Sequence, residues 1–162
     1  EIEMGILTAG GFAVGGLADT GEVELERLYR LNFLTAYHVA RPLFLQMQKQ
    51  DSGGQIIFIG SPPALSPEAA RGVVSYAFSK SLLFRLAEVI NEEGNGSGIT
   101  ARVIVPGIID TPQNREAMPD ADRRSWVSAT EIADRIYHLA TPEGKQQRKS
   151  IIKVYGKRRS GD

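Results

Sequence analysis

The sequence contains no cysteine, two histidines and one tryptophan, and its 19 basic residues balance 19 acidic ones. The absence of cysteine excludes disulfides, thiolate metal sites and cysteine nucleophiles, and it suits a reducing cytoplasm, which is the expected location. His38 and His138 are too far apart in the sequence to suggest a metal cluster, so no metal site is predicted. A formal net charge of zero argues against nucleic acid as the main partner.

Long hydrophobic runs are also absent. No apolar stretch approaches the length that a membrane span requires, so no membrane partner is predicted. A chain of 162 residues with 42% hydrophobic residues is long enough to bury a core, and its length favours one domain. We expect this domain to cover residues 1–156 and a basic tail to occupy residues 157–162.

Short apolar runs alternate with helical patterns along the chain. The runs predict strands at residues 2–8, 55–59, 99–105 and 150–155. Apolar periodicity predicts a long helix that begins at a cap, Asp19 or Thr20, continues to about residue 50 and kinks at Pro42. It also predicts helices at 74–91 and, after the capping box of Ser128 and Glu131, to about residue 140. Residues 110–124 are polar and are predicted to form a flexible loop.

This order of elements predicts an α/β fold. Strands that alternate with helices form right-handed crossovers, which give a parallel sheet with helices on both faces. Ligands of such sheets bind at the carboxyl ends of the strands. The glycines that follow residues 2–8, the serine that follows residues 55–59 and the Pro-Gly pair that follows residues 99–105 are therefore expected at one edge.

The sequence offers one pair of residues suited to proton transfer. Tyr76 and Lys80 lie four residues apart, on one face of the predicted helix. An ammonium group beside a phenol favours the phenolate and so lowers the pKa of the tyrosine from its usual value near 10. The pair can therefore act as a general acid or base on a carbonyl or hydroxyl oxygen. The simpler alternative is an amphipathic helix with a surface lysine.

Together with this pair, other motifs resemble the short-chain dehydrogenase/reductase family. The resemblance extends from Gly5 to Gly156 and rests on the order of five motifs. They are Leu7-Thr8-Ala9-Gly10, Leu31-Asn32, Ser61 after the second strand, Tyr76-x-x-x-Lys80, and the segment Val105-Pro106-Gly107-Ile108-Ile109-Asp110-Thr111.

The resemblance implies catalytic roles for four residues. Tyr76 would exchange a proton with the substrate oxygen, and Lys80 would lower its pKa and hold the nicotinamide ribose. Ser61 would hydrogen-bond the substrate carbonyl and steady its negative charge, with Ser66 as the fallback serine. Asn32 would hold a water molecule that links Lys80 to solvent.

The resemblance also implies a cofactor, a substrate class and an assembly. The cofactor would be NAD or NADP, and the substrate a small carbonyl compound or alcohol. The helices at 23–50 and 74–91 would build a homodimer or homotetramer. The residues expected to contact the cofactor are Thr8, Ala9, Gly10, Tyr76, Lys80, Pro106, Gly107, Ile109 and Thr111.

The chain departs from the family at its start. The family's glycine-rich phosphate-binding turn and first βαβ units are missing, so we expect a partial Rossmann fold, and the choice between NAD and NADP is not encoded. One alternative is a non-catalytic family remnant that acts through association. Another is an enzyme of the dihydropteridine reductase branch, which Gly10-Gly11-Phe12 and the segment Asp110 to Trp126 resemble, although that branch typically lacks the serine and the asparagine.

Overall fold

A parallel sheet of four strands forms the centre of the computed structural model, which describes residues 1–147 and 149–156. The strands follow one another across the sheet in chain order, and every neighbouring pair is parallel, as predicted. They are β1 (Met4–Leu7), β2 (Gly54–Ile59), β3 (Ile99–Pro106) and β4 (Ile151–Val154). The predicted tail at 157–162 lies outside the described residues.

Helices connect these strands. The connection from β1 to β2 is α1 (Glu22–Leu28), a π-helical segment (Tyr29–Leu34) and α2 (Thr35–Met47). The connection from β2 to β3 contains a 3₁₀ turn (Pro62–Ala64) and α3 (Val74–Glu93). After β3 come α4 (Pro112–Ala117), a 3₁₀ turn (Arg123–Ser125), α5 (Ala129–Ala140) and α6 (Pro142–Lys145).

The sheet is covered on both faces, as the α/β interpretation requires. One core lies between the sheet and the helices α2 and α3, and includes Phe44, Phe58 and Leu83. The other lies between the sheet and α5, and includes Ile57, Ile104 and Leu139. Adjacent residues Ile57 and Phe58 point to opposite cores because side chains alternate along a strand. The continuous apolar strands β2 and β3 are therefore buried on both faces.

The start of the first helix differs from the sequence prediction. Gly21 occupies the cap position and supplies no side-chain bond, so neither Asp19 nor Thr20 is the cap. Both side chains instead close the preceding turn: Asp19 accepts a hydrogen bond from the Gly16 N–H, and the Thr20 hydroxyl donates to the Gly16 carbonyl. Both side chains form hydrogen bonds within the turn and are therefore not available to cap the helix.

The distortion of this long helix lies before the predicted proline. Pro42 sits inside the regular part of α2, whereas the π-helical segment comes earlier, at Tyr29–Leu34. There the Thr35 N–H donates to the carbonyl of Arg30, five residues back. The Thr35 hydroxyl also bonds the Leu31 carbonyl at 2.6 Å, satisfying an acceptor in the widened turn.

The predicted flexible loop at 110–124 contains structure. Thr111 caps α4 by accepting a hydrogen bond from the Asn114 N–H at 3.1 Å, and Pro112 occupies the first turn. The polar composition of the segment predicts a loop, and a helix of six residues is too short to show an apolar period. The predicted capping box of Ser128 and Glu131 is present at the start of α5.

No helix in the described part of the chain combines the length and the apolar character needed to cross a lipid bilayer.

Candidate active site

Lys80 is a buried cation near the carboxyl end of β2. It lies on α3, its residue is only 6% exposed, and its Nζ donates to the Ile59 carbonyl at 2.9 Å. Burial disfavours the ammonium and lowers the pKa of Lys80 to about 8. An ammonium with three protons and one described acceptor retains donors for a further partner.

Tyr76 lies one turn before Lys80 and meets Ser61, the residue that follows Gly60 beyond the end of β2. Burial raises the pKa of the Tyr76 phenol, and the neighbouring Ser61 hydroxyl partly offsets that rise. Among the described residues, the buried Ser61 hydroxyl reaches no partner at full hydrogen-bond geometry. The direction of the Tyr76 pKa is opposite to the sequence expectation, in which Lys80 lowers it, because desolvation is the largest influence.

Asn32 stands behind this pair, in the π-helical segment. It is fully buried, and its Oδ1 accepts from the Gly11 N–H at 2.7 Å. Its Nδ2 donates to the Gly11 carbonyl at 3.1 Å and to the Ser79 hydroxyl at 2.9 Å. Ser79 in turn donates to the Tyr76 carbonyl at 2.9 Å. The side-chain amide of Asn32 is therefore used by the Gly11 carbonyl and the Ser79 hydroxyl, and the predicted water relay would need another group of this residue.

Gly10 brings the end of β1 to the same place. A Cβ on Gly10 would lie 2.8 Å from Asn32 Oδ1 and 3.0 Å from Lys80 Nζ, so a side chain here would press on both. Thr8, Ala9 and Gly10 are exposed at the carboxyl end of β1. The structure thus brings Asn32, Lys80 and Gly10 together, and Tyr76 with Ser61 beside them.

The remaining predicted cofactor contacts lie at the carboxyl end of β3. Pro106 ends the strand, and the Gly107 N–H donates to the Val154 carbonyl at 2.9 Å. Ile109 is bridged to Val127, and Thr111 caps α4. These residues share an edge of the sheet with the tyrosine and the lysine, since all strands are parallel. Their contact with a cofactor stays a prediction.

Two residues of the site have no predicted role in the sequence. Ser79 joins Asn32 to the Tyr76 backbone, and the Phe12 ring meets the Tyr76 ring edge-on with centroids 4.9 Å apart. Ser79 could have been found from its spacing, since a residue three after Tyr76 shares its helix face. Phe12 could not, because only the fold brings the loop after β1 to α3.

The sequence matches one protein family over most of its length. The model of the short chain dehydrogenase family matches residues 1–122. The dihydropteridine reductase of Dictyostelium discoideum is 26% identical over 148 residues, which cover 87% of this chain and 60% of that protein. The cyclic-di-GMP-binding biofilm dispersal mediator protein of Escherichia coli K12 is 30% identical over 149 residues, covering 88% of this chain and 61% of that protein.

Among solved structures, the fold is similar to that of ElxO with NADP bound. The TM-score is 0.83 at 21% sequence identity, and the match covers 95% of this chain and 66% of that chain. The chain therefore spans about three fifths of the length of the two curated relatives. Within residues 1–147 and 149–156, no group of three or more histidine, aspartate or glutamate side chains is placed to hold a metal ion.

Proposed function

The chain belongs to the short-chain dehydrogenase family, and we propose that it is the catalytic part of an oxidoreductase that uses NAD or NADP. Its substrate would be a small carbonyl compound or alcohol. The observation that carries this proposal is the meeting of Tyr76, Ser61 and Lys80 at the carboxyl edge of the sheet, with Asn32 fixing the backbone behind them.

The residues at this edge fit a nicotinamide nucleotide. Lys80 has ammonium protons left for ribose hydroxyls, and the exposed backbone from Thr8 to Gly10 gives a ligand close approach. The cofactor would supply or accept the hydride. The choice between NAD and NADP is left open by these residues.

Tyr76 would donate the proton in the reductive direction. The phenol, whose pKa burial raises above its usual value, is protonated at neutral pH and can give its proton to a carbonyl oxygen as the carbon gains hydride. The Ser61 hydroxyl, which has no full hydrogen bond within the described structure, would donate to the same oxygen. Lys80 would stabilise the phenolate that remains, and one proton and one hydride would together convert a carbonyl to an alcohol.

We further propose that the protein associates with itself through the first and third helices. Large apolar side chains are exposed on α1, on the π-helical segment and on α3, and a groove between these elements is lined by Leu25, Tyr29, Phe78 and Leu82. Exposed apolar surface of this kind favours a protein partner. A homodimer or homotetramer would cover it, and association alone is the alternative function if no turnover is found.

The decisive test compares Tyr76→Phe with Tyr137→Phe. The intact mass is measured first, because a mass above 17.7 kDa would require assays on the longer protein. Oxidation of NADH and NADPH is then followed with a panel of carbonyl compounds and with a dihydropteridine, because one relative is a dihydropteridine reductase. Tyr76→Phe should lower kcat by about 10²- to 10⁴-fold.

Tyr137→Phe is the matched control, since Tyr137 is 76% exposed on α5 and should leave the rate unchanged. Circular dichroism would verify that both variants fold. Turnover by Tyr76→Phe at the rate of the wild-type protein would overturn the catalytic assignment. A wild-type protein that binds neither nucleotide and reduces no carbonyl would favour the association alternative.

A further inference from the structure

The segment from Gly11 to Gly15 is fixed at both ends across the start of α3. At one end Asn32 holds the N–H and the carbonyl of Gly11, at 2.7 and 3.1 Å. At the other end the Gly15 N–H donates to the Gly72 carbonyl at 2.7 Å, and its carbonyl accepts from the Val74 N–H at 2.9 Å. The segment is thereby bonded both to the π-helical segment, which contains Asn32, and to the start of α3, which carries Tyr76.

Phe12 is the aromatic residue in this segment, and it lies against Tyr76. The ring centroids are 4.9 Å apart and the ring planes meet at 73°, an edge-to-face contact. Phe12 is nevertheless 59% exposed, so it contributes little to the core. Its position is set by the two backbone attachments, which hold an exposed ring against the phenol.

We propose that Phe12 is a positioning residue, which fixes the Tyr76 phenol beside Ser61 and excludes water from one side of its ring. This role rests on the proposed function. A tyrosine side chain can turn about two bonds, and the Phe12 ring blocks one direction of movement. Without it the hydroxyl would spend part of its time away from the reacting oxygen, which lowers kcat more than KM.

The groups around the phenol make this role measurable. Segment 11–15 contributes only Gly, Phe, Ala, Val and Gly, so no titratable side chain faces Tyr76 from that side. Ser61 faces it from β2, and Lys80 lies one turn along α3. The main effect of removing Phe12 is therefore to admit water, which should lower the raised pKa of Tyr76 towards its usual value.

The test uses the full chain labelled with ¹³C at the tyrosine ring. The pKa of Tyr76 is followed by NMR titration, and Tyr76→Phe identifies its signal among those of the five tyrosines. In Phe12→Ala the pKa should fall and kcat should drop by about threefold to tenfold. In Phe12→Trp both should remain near the wild-type values, because an aromatic ring is retained.

Val14→Ala is the matched control, since Val14 lies in the same segment and is 77% exposed. Phe12→Leu keeps an apolar side chain without the ring edge and should give an intermediate pKa. An unchanged Tyr76 pKa in Phe12→Ala would overturn the proposal. Because the titration needs no turnover, it decides the role of Phe12 even if the wild-type protein proves inactive and the proposed function fails.

Discussion

Lys80 and Arg102 are the two buried cations in the part of the chain that the structure describes, and their hydrogen-bond partners differ greatly. Lys80 lies near the carboxyl ends of the strands and donates to a single described acceptor, the Ile59 carbonyl. Arg102 lies in the first half of β3, is 3% exposed, and donates to several acceptors. Burial lowers the pKa of both side chains, so neither is buried without cost.

The acceptors of Arg102 come from the end of the sheet opposite the candidate site. Its guanidinium bonds the Gln55 side-chain oxygen and, at 3.4, 3.3 and 2.8 Å, the carbonyls of Gly144, Lys145 and Gln147. Gln55 itself donates to the Leu139 carbonyl at 2.9 Å. Arg102 thus ties β2 and β3 to carbonyls in and just after α6, while Gln55 adds the end of α5, and no carboxylate is in that set.

The difference indicates how a buried cation is used. A planar guanidinium whose two terminal nitrogens donate to fixed oxygens of the fold holds the structure together. A lysine with unused donors and a pKa near neutrality is available for chemistry, at the expense of stability. Replacement of Arg102 should therefore lower the free energy of unfolding, and replacement of Lys80 should raise it.

The largest expected effect is at Arg102. Arg102→Leu leaves the Gln55 oxygen and the helix-end carbonyls without their donor, and since each buried acceptor left unpaired costs about 1–3 kcal/mol, the free energy of unfolding should fall by at least that amount. Urea denaturation followed by circular dichroism measures this. Arg85→Leu is the control, because Arg85 forms an exposed ion pair with Glu88 and should change stability by less than about 1 kcal/mol. Equal effects of both variants would remove the contrast.

A smaller effect of opposite sign is expected at Lys80. Unfolded lysine titrates near 10.5 and the folded side chain at about 8, so the unfolded state holds more protons between these values. The wild-type stability should therefore rise as pH increases from about 8 towards 10.5. Lys80→Met should stabilise the fold by about 2 kcal/mol at pH 7, and this advantage should shrink as pH rises.

Urea denaturation at pH 7 and pH 9.5 measures this change, and the same variant should have lost turnover under the proposed function. A destabilised Lys80→Met at pH 7 would show that Lys80, like Arg102, serves the fold. That result would break the comparison between the two cations.

The smallest expected effect is at Ser79. Its hydroxyl bonds both Asn32 and the Tyr76 carbonyl, whereas the Ser81 hydroxyl bonds, among the described residues, only a carbonyl of its own helix. Ser79→Ala removes the acceptor of a buried Asn32 proton and the donor to the Tyr76 carbonyl, and should lower the free energy of unfolding by about 1–2 kcal/mol. Ser81→Ala removes the equivalent bond to the Phe78 carbonyl and nothing else described, so it should cost less. The measurement is the ratio of the two losses in free energy of unfolding. Equal losses would contradict a special role for Ser79.

The fold was predictable because its strands are continuous apolar runs and its third helix has a clear period. The grouping of Tyr76, Lys80 and Ser61 was predictable because each follows from local spacing and from the common edge of a parallel sheet. The clamp from Asn32 to Gly11 and the contact of Phe12 with Tyr76 were not, since they join residues that are far apart in sequence. The pKa direction of Tyr76 was missed because burial is a property of packing.

The π-helical segment has a consequence for insertions and deletions in this chain. It accommodates one more residue per turn than the α-helices on either side, and Asn32 lies within it. Removing one residue between 29 and 34 would let the segment relax to a regular α-helix, with the helices on either side kept in phase. The packing of α1 against α3 and of α2 against the sheet should therefore tolerate this deletion, and its cost should fall on Asn32, which would lose its place against Gly11.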